Sequence, residues 1–142
     1  MIPRLALTML AALLLTGCAT MGQVIAEKEE GGGTASTYPV SLDDAWKISL
    51  QVFRWEGAGP IEQHRDQRYM LTEASLNLYS YGTLMGAWFT PLAPSETRVT
   101  VVTKRRMKTN VFTVLTESTY HDRFGQAVDI LKTGKPIPNE PP

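Results

Sequence analysis

His64 and His121 are the two imidazoles of the chain, and Cys18 is its single thiol. One Cys makes no internal disulfide, and with two His it cannot complete a Cys/His zinc site of the usual four ligands. His64 sits between Gln63 and Arg65, and His121 precedes Asp122. A His, an Asp and a Ser can be combined into a triad on paper, but composition is the whole support for it. G-x-S-x-G, H-E-x-x-H, P-loop and G-x-G-x-x-G patterns are all missing. Both histidines therefore read as partly exposed surface groups, and no cofactor is implied. Asp43 and Asp44 are adjacent, and neighbours on a helix do not face each other. They read as helix-start charge, not as an acid/base pair. Gly31-Gly32-Gly33 lacks the flanking strand and helix that would hold a phosphate.

The densest charge is Lys104-Arg105-Arg106-Met107-Lys108. In an extended strand, Lys104, Arg106 and Lys108 share one face. Two readings stand. The patch meets anionic headgroups, an acidic glycan or an acidic partner, or it is a solvated strand end whose charge discourages edge pairing. Tyr79, Tyr81, Trp88 and Phe89 lie near glycines and read either as core or as a partner groove. Lys plus Arg equals Asp plus Glu at 14 each, which gives no case for nucleic-acid binding.

The cysteine has a more specific setting. Arg4 is the lone positive charge ahead of an apolar run from Leu5 to Leu15. That run has the length of a signal-peptide core and is too short to span a bilayer comfortably. The residues that follow, Leu15-Thr16-Gly17-Cys18, resemble the lipobox of bacterial lipoproteins. The resemblance implies cleavage before Cys18, diacylglycerol on its sulfur and, usually, an acylated new amine. Several acyl chains at about 0.8 kcal/mol per buried methylene hold a protein on a membrane far better than one. In the enteric form of this class an Asp after the cysteine marks inner-membrane retention, so Ala19 favours the outer membrane, with the domain facing the periplasm.

With 142 residues, there is room for one modest domain. Residues 1–17 read as the signal peptide. Residues 18–37 read as the lipidated Cys followed by a flexible tether, rich in Glu, Lys, Gly and small polar residues. A coil of that length spans roughly 25 Å on average. Residues 38–133 read as the folded domain. Residues 134–142, GKPIPNEPP, read as a Pro-rich, unpacked tail.

Within the domain, TYPV (37–40) is a short strand. Ser41 caps a helix whose Leu42, Ala45, Trp46, Ser49, Leu50 and Phe53 fall on one face, and Gly57, Gly59 and Pro60 end it. PIEQHR (60–65) and RYMLTEA (68–74) flank a tight turn at Asp66-Gln67. Residues 75–90 suit a long or broken strand, with Gly82 and Gly86 marking a bulge or close packing. PLAPSE (91–96) reads as a loop. TRVTVVTKRR (97–106) alternates clearly and should pair with 83–90 as a hairpin. VFTVL (111–115) fits a last strand or the lead into a helix. A second helix runs from Glu117 to Lys132 on Tyr120, Phe124, Ala127, Val128 and Leu131. The expected class is α+β: an antiparallel sheet of four to five strands with two helices packed on one face, in the order β-α-β-β-β-β-α.

"YPVSLDDAWKISLQVF" followed by a "TRVTV" strand and a C-terminal helix resembles small envelope lipoproteins. Their plan is similar to that of the modules of BamC, a lipoprotein of the outer-membrane β-barrel assembly complex. The resemblance implies a fold, a compartment and an accessory role, and no catalysis. The expectation is a non-enzymatic interaction module with an envelope protein partner and a membrane contact through Cys18. The alternative is a small lipid or glycan held between sheet and helices, in a pocket lined by the glycines and aromatics of 79–89.

Overall fold

A computed structural model describes residues 20–74, 82–105 and 116–142. The helices predicted from apolar spacing form where their caps place them. The first of these, α2 (Leu42–Trp55), starts at Ser41, whose hydroxyl accepts the Asp44 N–H at 3.2 Å. Asp43 and Asp44 lie in its first turn and Arg54 in its last, the signs that the helix dipole favours. It stops because Gly57 takes a left-handed φ of 76°. The Gly57 and Ala58 N–H groups then turn back to the Arg54 and Phe53 carbonyls. The second predicted helix, α3 (Glu117–Lys132), is capped by Thr116, which accepts the Thr119 N–H at 3.2 Å.

Among the described residues the sheet has five strands: β1 (Thr34–Tyr38), β2 (Glu62–His64), β3 (Tyr69–Ala74), β4 (Thr83–Ala93) and β5 (Glu96–Arg105). Their order is β1-β5-β4-β3-β2, and every neighbouring pair is antiparallel. The expected hairpin of 83–90 with 97–104 is present, in the register Ala87↔Val101. It is longer than expected, because most of the supposed loop 91–96 is strand and only Pro94-Ser95 turns. Pro91 is accommodated beside a register shift between Pro91 and Ala93, where its missing N–H disturbs no regular ladder. Tyr79, Tyr81 and VFTVL (111–115) lie outside the described residues.

Side chains alternate across the sheet. Met70, Met85, Ala87, Phe89, Val99 and Val101 turn to α2 and α3. They meet Trp46, Ile48, Val52 and Phe53 of α2 and Tyr120, Phe124, Ala127 and Val128 of α3, all buried. Phe89 packs on Trp46 with ring centroids 5.0 Å apart, and Phe53 on Tyr120 at 5.3 Å. The polar atoms inside this layer are partnered. Ser49 Oγ donates to Met70 Sδ at 3.3 Å, so the Tyr120 hydroxyl, 2.6 Å from Ser49, donates to the serine. Burial pushes the Tyr120 phenol well above its usual range, against the lowering effect of the Ser49 bond.

Two expected flexible segments are ordered. The sequence predicts a tether over 18–37 and a folded part that begins at 38. Instead α1 (Met21–Glu29) and β1 occupy most of that stretch. Thr20 precedes α1, and its N–H donates to Gln23 Oε1 at 3.1 Å, one half of a capping box. The glycines here serve geometry, not flexibility. Gly31 has φ 84°, and the Gly31 and Gly32 N–H groups bond the Lys28 and Glu27 carbonyls to close the helix. Gly33 has φ 91° and passes so near β5 that a Cβ there would lie 2.6 Å from the Val101 oxygen. Among the described residues, α1 thus adds a third helix to the two that were expected on the sheet. The two expected helices share one face, and α1 lies on the other.

The C-terminal tail is likewise not unpacked. Ile137 lies against the core. Its neighbours' carbonyls, free because extended chain makes no internal bonds, accept from side chains. Trp55 Nε1 donates to Pro138 O at 3.1 Å, Gln51 Nε2 to Asn139 O at 3.2 Å and Arg123 Nη1 to Pro142 O at 3.0 Å.

Candidate functional site

The outer sheet face, away from α2 and α3, carries the side chains that the core does not use. Leu71, Leu84, Trp88, Val102 and Lys104 belong to it by alternation. On it α1 lies with Val24 fully buried against Leu84 and Val102, while Met21 and Trp88 flank the contact. Glu27 of α1 forms an ion pair with Lys104, both about one-third exposed at 34% and 33%. Lys28 Nζ stands 5.9 Å from the centre of the Trp88 ring, within cation–π range. Trp88 folds back over Gly86, where a Cβ would collide with the indole and lie 3.0 Å from Leu71. Gly86 thus marks close packing, as its position in the strand suggested.

Beside α1 an aromatic row crosses three strands. His64 stacks on Tyr69 at 4.3 Å and 12°, and Tyr69 on Trp88 at 5.8 Å and 16°. These are directly opposed residues, so the row follows from the register His64↔Tyr69↔Trp88. All three are half-buried. His64 Nε2 also meets Glu62 Oε1 at 2.5 Å, and an open depression runs along Gln63–Gln67.

Several other acid and base groups tie elements of the framework together. His121 Nε2 lies 2.8 Å from the Thr34 carbonyl, which only accepts, so Nε2 carries the proton. Nδ1 then accepts from the Tyr38 hydroxyl at 2.6 Å. Tyr38 is pushed up to about 12, mainly by burial; a Ser36 hydrogen bond opposes this, and Asp122 adds to it. Glu117 accepts from the Thr34 hydroxyl at 2.5 Å and the Thr103 N–H at 3.2 Å. The start of α3 thus clamps β1 to β5. Asp43 pairs with Arg65 at 3.0 Å, and Asp44 approaches Lys47 at 4.0 Å. The two carboxylates are not brought together.

Of the residues singled out in the sequence, Lys104 is on the outer face and engaged with α1. Arg106 and Lys108 lie outside the described residues, as do Leu15, Thr16, Gly17 and Cys18. Of the glycines and aromatics of 79–89 placed in the expected pocket, Phe89 is packed into the core, and Gly86 and Trp88 lie on the outer face. The sequence reading missed Val24, Glu27 and Lys28. The Thr20-x-x-Gln23 capping signal was present and would have found α1.

Among the described residues, no group of three His, Cys, Asp or Glu stands close enough to share a metal ion. Among the same residues, no helix is long and apolar enough to cross a membrane. No family model, curated protein or solved structure gives a significant match to the chain.

Proposed function

We propose that the chain is a lipoprotein of the bacterial envelope, anchored through lipid on Cys18, and that its domain works as a non-enzymatic interaction or accessory module. The single observation that carries this reading is the leader: one positive charge, a short apolar core and Leu15-Thr16-Gly17 ending on the sole cysteine. The domain supports it, because each described histidine has a structural engagement. His121 clamps β1, and His64 belongs to the aromatic row. Ala19 favours the outer membrane, with the domain in the periplasm and a role beside other envelope proteins, including outer-membrane assembly. Filling of the sheet–helix interior by Met85, Phe89, Phe53 and Tyr120 favours a surface interaction over an enclosed ligand. The test is fractionation of the wild type and Cys18→Ser. The wild type should sediment with membranes and the variant should leave them. Equal retention of the two would defeat the anchor.

A further inference from the structure

If lipid is carried on Cys18, the position of α1 decides how the domain sits on the membrane. Ala19 and Thr20 alone separate that cysteine from Met21, the first residue of α1. Three residue steps of about 3.3–3.6 Å reach roughly 11 Å at full extension. A tether of the whole 18–37 stretch would give more than twice that on average. The length is spent instead on α1 and β1. Val24 is buried against Leu84 and Val102, Glu27 is paired with Lys104, and Gly31 and Gly33 turn the chain directly into β1.

From this we infer that the outer side of the domain is seated on the lipid headgroups, and that α2 and α3 face away from the membrane. The contact surface is the exposed side of α1, which carries Gln23 and Ala26, with the row His64, Tyr69 and Trp88 beside it. The described residues form three layers: α1, the sheet, and the α2–α3 pair. Packed elements lie about 10 Å apart, so a residue on the outer side of α3, such as exposed Asp129, is two layers beyond the reach of the anchor. Half-buried Tyr and Trp rings suit a headgroup region, where an apolar body and a polar tip are both satisfied. The charges described on this side are of both signs: Glu29 and Glu30 are exposed at the end of α1, Lys104 is paired with Glu27, and Lys28 lies over Trp88.

The inference rests on the anchor reading, and its test separates the two. Full-length lipidated protein carrying Ala26→Cys or Asp129→Cys, each labelled with a small fluorophore, is placed in vesicles of phosphatidylethanolamine and phosphatidylglycerol containing headgroup-nitroxide lipid. Both positions are exposed, so neither change disturbs the core. The account expects the probe at 26 to be quenched several-fold more than the probe at 129. Adding Val24→Asp to undock α1 should remove the difference while the protein stays on the vesicles. Equal, weak quenching at 26 and 129 in vesicle-bound protein overturns the seating and leaves the anchor intact. Failure of the wild-type chain to remain with vesicles overturns both.

Discussion

The two faces of the sheet are covered by different means. On the inner face α2 and α3 each bury a whole stripe of side chains, from Trp46 to Phe53 and from Tyr120 to Val128. On the outer face α1 buries Val24 alone among its residues and holds on through Glu27–Lys104 and Lys28 over Trp88. The inner layer is bound by apolar area, which scales with every methylene removed from water. The outer layer is bound by a small apolar cluster of Val24 on Leu84 and Val102 with Met21 and Trp88 beside it, an ion pair about one-third exposed and a cation–π contact. The folding core is therefore the inner layer. Of the three described helices, the outer one buries the fewest side chains and should open at the least cost.

That contrast can be broken by mutation. Phe124→Ala removes a fully buried ring between Tyr38 and Tyr120. It is expected to cost about 3–5 kcal/mol, read as a large fall in the urea midpoint with cooperative loss of all structure. Val24→Asp is expected to cost less, about 1–3 kcal/mol. Hydrogen exchange should show the loss of protection confined to α1, with α2 and α3 still protected. A global collapse in Val24→Asp equal to that of Phe124→Ala would erase the distinction between the faces.

Alkali sharpens the inner side of the comparison. The Tyr38 phenol titrates in the folded chain near 12, against 10 when unperturbed. The unfolded chain therefore loses its proton first. The stabilisation from keeping Tyr38 neutral is complete below pH 10 and is withdrawn as pH rises from 10 through 12. Tyr120 acts in the same direction. Stability followed by circular dichroism should fall across that window, and Tyr38→Phe should flatten part of the fall. The smallest effect belongs to the outer layer. Glu27→Gln removes the Lys104 ion pair and is expected to change stability by less than about 1 kcal/mol, read as a slight shift of the urea midpoint.

The same contrast explains what the sequence disclosed. The inner layer was legible because α2 and α3 repeat apolar residues at helical spacing, and because Val99, Val101 and Thr103 alternate with polar neighbours in β5. Ser41 and Gly57 marked the ends of α2 correctly because capping is a local interaction. α1 was not legible by periodicity, since a helix held by one valine has no stripe to detect. Its closing glycines looked like linker residues, although left-handed φ at Gly31 and Gly33 and the approach to Val101 require them. The tail was read as free for a similar reason. Its contacts are made by backbone carbonyls, which carry no sequence signature, to Gln51, Trp55 and Arg123. Lys104 was singled out from its charge, but its partner Glu27 lies in a segment distant along the chain, and the register that joins them is a tertiary property.

The central claim concerns Cys18, and the mass of the mature N-terminal peptide tests it most directly. Protein is purified from the membrane fraction of a cell that processes lipoproteins, digested and analysed by mass spectrometry. The account predicts a peptide that begins at Cys18 and carries the mass of diacylglycerol with an added N-acyl chain. A mature chain that retains residues 1–17, or one that begins elsewhere with Cys18 unmodified, would contradict it.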